Sequence, residues 1–208
     1  MPMTSFERLG GVSLIIGSFL FAAYALLFFI LLPIGKTTSD FVLEVLNPNW
    51  IRLAFVALAG ILLMLIGFYA AYSRIRVNSG VIGALGFLFI EAAYLLQACK
   101  VTWELFLYPV IASHPESAFL LSKGIIKHDP YVVIFSEVSA ITIFIGVVLF
   151  CLVLHRSDEY PRAAAPLIFS GAIVYAVSPA VSIMASIAGI FVLAIGCSLL
   201  GAHLLKPK

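Results

Sequence analysis

From Ala163 to Leu205 the chain carries no Asp, Glu, Lys or Arg. As a single helix that stretch would be about 65 Å long, roughly twice the hydrocarbon core of a bilayer. It must turn back on itself, and the surroundings it calls for are lipid. The rest of the chain agrees. Of 208 residues, 63% are hydrophobic and 11% charged, with a mean hydropathy of +1.16. A soluble chain is about half apolar and a quarter charged, and surface-to-volume scaling gives no soluble domain of this size enough interior for the excess. A water-soluble domain, a disordered chain and a nucleic-acid binder are excluded. The net charge of +2, without a long basic or acidic run, implies no polyanion partner.

Apolar runs of about 18 or more residues mark membrane helices. They predict an all-α, polytopic membrane bundle forming one domain over 1–208, with six spans at about 9–33, 53–72, 80–105, 131–154, 163–177 and 179–205. The first run is too long for a signal-peptide core of about 7–15 residues and reads as a retained helix. The fifth span is short. Ser178-Pro179 is the expected break before the sixth, because proline is favoured at a helix's first position. If Pro179 merely kinks the fifth helix, the turn moves to about 185–189.

Lys and Arg give the orientation. With six spans, Arg8, Arg74, Arg76, Arg156, Arg162, Lys206 and Lys208 share the side of both termini. Lys36, Arg52, Lys123 and Lys127 fall on the other, with Lys100 near its edge. The majority places both termini in the cytoplasm of a multi-pass cell-membrane protein. The two long outer loops, 35–49 and 113–130, each contain an amphipathic run, read as short helices lying on the outer surface.

In lipid the informative residues are those that cost energy, because ionisable groups at membrane depth usually face the bundle interior. Glu91 falls near the middle of the third span and Glu137 in the outer half of the fourth, while Arg52 begins the second. Helical phase puts Gln97, Lys100 and Glu104 on one face of the third helix and Glu91 on the opposite face with Tyr94, Ala98 and Thr102. Glu91, Tyr94, Gln97, Lys100, Glu104, Glu137 and Arg52 are therefore the candidate ligand-binding or ion-responsive set. One arrangement is an outward vestibule lined by Glu137, Arg52 and the second outer loop. The alternatives are a carboxyl at Glu91 that locks helix packing, and interfacial charges that snorkel and pair, Lys100 with Glu104 four residues apart.

The other chemistry-bearing residues are less organised. His114 and His128, beside Glu116 and Asp129, offer zinc ligands without a ligand-spacing signature. His155 and His203 end two helices, where they suit either a haem or the helix dipole. No cofactor is expected. Cys99, Cys151 and Cys197 lie in apolar stretches and read as small core residues. Ser178, Ser182 and Ser186, with Ala185 and Gly189, form a small-residue stripe suited to close helix packing or to another subunit; Gly80 and Ala84 fit the same idea. No nucleophile motif or phosphate-binding loop is present.

An Arg-Leu-Gly-Gly lead-in (Arg8 to Gly11), a second helix closing in Tyr-Ser-Arg-Ile-Arg (Tyr72 to Arg76) and a Tyr-Pro-Arg stretch (Tyr160 to Arg162) before a terminal hairpin give a layout that resembles small six-helix membrane proteins of bacteria and archaea. The resemblance implies topology and carries no activity. The residues lead to three expectations, in order: a protein that binds or moves a small or amphiphilic ligand in the outer half of the bundle, a non-catalytic subunit of a larger complex or homo-oligomer, and an intramembrane metal-dependent enzyme.

Overall fold

The computed structural model describes residues 5–32, 38–177 and 182–206, and among them there is no strand. The helices are α1 (Ser5–Leu31), α2 (Thr38–Val45), α3 (Pro48–Thr102), α4 (Tyr108–Ser113), α5 (Pro115–Ser122), α6 (Ile125–His128), α7 (Pro130–Arg156), α8 (Ala164–Val177) and α9 (Ile183–Leu204), with a π-helical turn over Trp103–Leu107. Four helical stretches, Ser5–Leu31, Pro48–Ser113, Pro130–Arg156 and Ile183–Leu204, are long and apolar enough to cross a membrane, and α8 is a shorter apolar helix.

The longest of these is a hairpin. α3 starts where Asn47 caps it, its side chain accepting from the Asn49 N–H at 2.9 Å, with Pro48 in the first turn. It folds back at Gly80, whose φ of 57° and ψ of −159° leave helical space. Only glycine takes that conformation without strain. The two arms touch along their length. Tyr72 stacks on Phe87 at 4.3 Å, Phe68 on Tyr94 at 5.4 Å, and the Trp50 indole Nε1 donates to the Glu104 carbonyl at 2.7 Å.

Small residues bring the other helices together. Lipid tails are as apolar as leucine, so membrane helices associate through close packing rather than hydrophobic burial. A Cβ on Gly17 would lie 2.8 Å from the Gly60 carbonyl oxygen, one on Gly11 2.7 Å from that of Gly201, and one on Gly86 2.7 Å from the Phe150 nitrogen. These approaches fix α1 against α3 and α9, and the second arm of α3 against α7. The α8–α9 seam is similar: Gly171 lies against Leu193, Gly189 against Tyr175 and Gly196 against Ile168. Leu14, Ile61, Met64, Phe68, Phe150 and Leu200 fill the centre. The start of α1 and the end of α9 share one end of the bundle. At the other, α2, α4, α5 and α6 form a cap over a second core of Leu32, Val45, Trp50, Leu53, Ala112 and Leu121.

Several expectations change. Gly80 turns the chain and packs against nothing within 4 Å. The two amphipathic loops do form short helices, but they pack on one another as the cap. The break at Ser178-Pro179 lies outside the described residues. The sixth helix begins at Ile183 rather than Pro179, because Ser182 is extended and its hydroxyl caps the Met184 N–H. Residues 185–189 are helical, which removes the alternative turn there. Of the stripe, Ser178 lies outside the described residues, Ser182 is exposed, Ser186 is buried and Gly189 sits in the seam with α8. Cys151 and Cys197 are core residues, whereas Cys99 is exposed.

Candidate functional site

The chemistry gathers in the cap half of the bundle, around the second arm of α3. Near its end lies Pro109. Proline has no N–H to give the carbonyl four residues back and crowds it sterically. The helix accommodates this by widening into the π turn of Trp103–Leu107. The turn frees the Glu104 carbonyl for the Trp50 indole, and that bond fixes how Glu104 leaves the helix. Trp50 is itself held by Phe28 at 5.5 Å and Phe41 at 5.7 Å.

The Glu104 side chain is half-buried. Tyr24, Tyr108, Tyr175 and Lys100 all lie within electrostatic range of its carboxyl. The four come from α1, α4, α8 and α3. Among the described residues, no side chain makes an ion pair or hydrogen bond to that carboxyl. Lys100, one turn back along α3, is exposed.

Beside this group the helices part. α8 is drawn onto α9 by the glycine seam and touches α7 more lightly. The small side chains of Ala140, Ala172 and Ala176 leave a cleft of about 240 Å³ between α3, α7 and α8. A narrow inner chamber of about 40 Å³ adjoins it, lined by Phe21, Phe68 and Tyr94. Gln97, Ile143, Val147, Ala172 and Tyr175 line both, so the two spaces are neighbours that share a wall. The polar groups of the cleft, Lys100, Gln97 and Ser136, sit at the cap end. The inner chamber is apolar, apart from the Gln97 amide and the hydroxyls of Tyr94 and Tyr175. The arrangement can hold a molecule that is polar at one end and apolar at the other.

The sequence-predicted residues divide accordingly. Gln97 and Lys100 line the cleft, and Glu104 stands one turn beyond it. Tyr94 joins them instead of sharing Glu91's side, because its ring stacks on Phe68 and its position is only 60° from Gln97 around the helix. Glu91 lines neither cavity; it is half-buried, and its Oε1 is buried without a hydrogen-bond partner. Arg52 and Glu137 are exposed and line neither space. The second outer loop, expected to join them in a vestibule, packs into the cap.

His114 and His128 each turn Nδ1 to a carbonyl of the preceding turn, Val110 at 2.9 Å and Gly124 at 2.8 Å. Among the described residues no three His, Cys, Asp or Glu come together in a metal-binding group. His155 lines a groove of about 320 Å³ between α7 and α8 at the opposite end. His203 instead packs edge-on against Tyr160 at 5.7 Å.

Tyr24, Tyr108, Tyr175 and Ser136 were not singled out from the sequence. Pro109, five residues past Glu104, and three tyrosines deep within apolar runs were the available signals. Compared with protein-family models, curated proteins and solved structures, the chain matches none.

Proposed function

We propose that this is a six-span protein of the cell membrane, with both termini cytoplasmic, that binds one amphiphile of the outer leaflet in the cleft between α3, α7 and α8. In this reading each arm of α3 is a span, α8 is the short fifth, and the cap lies outside. One observation carries the proposal: the polarity of the cleft runs in the same direction as that of the leaflet around it. A lipid in the outer leaflet keeps its head at the surface and its chains toward the midplane. The cleft offers Lys100, Gln97 and Ser136 at the outer level and Ile143, Val147 and Ala172 below. An apolar recess with a few placed polar groups is the usual form of a small-molecule site. A chain end entering the inner chamber would meet Phe21 and Phe68.

The test is binding of a fluorescent acyl-chain probe to delipidated protein in detergent. Ala140→Trp places an indole in the cleft from an exposed position and is expected to weaken binding by about tenfold, some 1.4 kcal/mol. Its elution profile should stay that of the parent. Glu91→Gln, away from the cleft, is expected to leave binding unchanged. Undiminished binding by a folded Ala140→Trp protein would sink the proposal.

A further inference from the structure

We infer that this cleft selects a lipid with a net anionic head, held by the Lys100 ammonium and the Gln97 amide at its cap end. The inference rests on the amphiphile reading above and adds the charge of the head.

Of the residues that line the cleft, Lys100 alone carries a charge. It offers three donors, and the Gln97 amide one turn back offers two more. Among the described residues neither side chain makes a hydrogen bond or ion pair. The Ser136 hydroxyl already donates to the Val132 carbonyl at 2.9 Å, so it presents the cleft with lone pairs only. Glu104, one turn beyond Lys100, lines neither space, and no ion pair joins the two. The cleft thus holds unanswered donors and no acid. In the six-span reading Lys100 stands near the outer end of its span, where an ammonium without a counter-charge is costly.

The register of the two walls puts these donors at one level. The second arm of α3 and α7 run antiparallel, with Gly86 against Phe150 and Gly146 against Ile90. Lys100 lies ten residues capward of Ile90, and Ser136 ten residues capward of Gly146. Both therefore stand about 15 Å from the same crossing, at the cap end of the cleft. Below them Ala140, Ile143, Phe144 and Val147 of α7 face Ala172, Ile173 and Ala176 of α8 across the cleft. An anionic head at the level of Lys100 leaves its chain against those apolar walls. Selection also works by repulsion, since a cationic head meets Lys100 and finds no carboxylate in the lining. A zwitterionic head gains the ammonium for its phosphate but brings its amine to the same place.

The experiment offers purified, delipidated protein non-ionic micelles holding equal amounts of three dioleoyl lipids that differ only in the head: phosphatidylglycerol, phosphatidylcholine and a trimethylammonium lipid. Retained molecules are counted by native mass spectrometry. The expected result is phosphatidylglycerol at about tenfold over phosphatidylcholine, with the cationic lipid lowest. Lys100→Gln, at an exposed position, should abolish that preference, and Lys100→Glu should turn it toward the cationic lipid. Lys100→Arg keeps the charge and should keep the preference. Gln97→Met removes the amide at nearly constant volume and should lower the phosphatidylglycerol excess about threefold. The parent's head-group distribution in Lys100→Gln and Lys100→Glu overturns the inference while leaving the cleft as an acyl-chain site. Equal total retention by Ala140→Trp and the parent overturns the amphiphile reading itself.

Discussion

At the scale of single residues, the bundle's terminal end is closed by Arg74 and Tyr160. The Arg74 side chain is 3% exposed; it pairs with Glu159 at 3.5 Å and donates to the carbonyls of His203 at 3.1 Å and Lys206 at 3.5 Å. The His203 carbonyl, in the last turn of α9, also accepts from the Lys206 N–H at 3.1 Å, and a buried guanidinium at this helix end complements the helix dipole. The Tyr160 phenol donates to the Ala71 carbonyl at 2.8 Å, pinning the 157–163 loop to α3. Tyr160→Phe is expected to cost about 1 kcal/mol, the net worth of one such bond. Burial pushes this phenol above the ordinary tyrosine value, with Glu159 and Glu7 adding and Arg74 opposing. The folded protein therefore holds the neutral form. Its contribution is complete below the unfolded value of about 10 and is lost as pH rises beyond it. Thermal unfolding in detergent should show the parent losing its advantage over Tyr160→Phe between about pH 9 and pH 11. Parallel alkaline profiles for the two proteins would contradict this. From sequence, Arg74 and Tyr160 served only as marks of sidedness and layout. Their chemistry depends on contacts 129 and 89 residues apart in the chain, which no local spacing reveals.

At the scale of elements, the decisive feature is the hairpin at Gly80. A Cβ added there meets nothing within 4 Å, so any cost of substitution comes from the backbone alone. The φ of 57° with ψ of −159° lies in a region populated essentially by glycine. Gly80→Ala and Gly80→Asn are both expected to destabilise by about 1–3 kcal/mol. Gly124, at φ 64° and ψ 20°, occupies the ordinary left-handed well that asparagine also visits. On backbone grounds, Asn should be better tolerated at 124 than at 80. Melting temperatures of the three variants decide it, and a neutral Gly80→Ala would remove the argument. The hairpin's existence was legible, because Arg74, Arg76 and Asn78 interrupt two apolar runs. The role of Gly80 was not, since a glycine opening an apolar run reads equally well as a packing residue. The cleft was harder still. It exists because α8 leans on α9, and the phase of one helix cannot say which neighbour stands off. Phase did put Gln97 and Lys100, which line the cleft, on one face, because that depends on the geometry of one helix alone.

At the scale of the molecule, the cleft's proposed occupant depends on which end faces outward. The charge count puts seven basic residues with the termini and four or five with the cap, and basic excess marks the cytoplasmic side. Cysteine accessibility tests that assignment with the protein's own chemistry. Cys151 and Cys197 are buried and Cys99 is exposed, so Cys99→Ser leaves a background with little reactive thiol. Into it go Asn78→Cys, beside the Gly80 turn, and Lys123→Cys, in the cap; both parent residues are exposed. A membrane-impermeant maleimide should label position 123 in intact cells and position 78 only after permeabilisation. The reverse pattern would invert the molecule, place Lys100 at the inner surface and make the cleft's partner a lipid of the cytoplasmic leaflet. Labelling of both positions in intact cells would mean that the arms of α3 do not separate the two ends across the bilayer, and the six-span arrangement would fall with it.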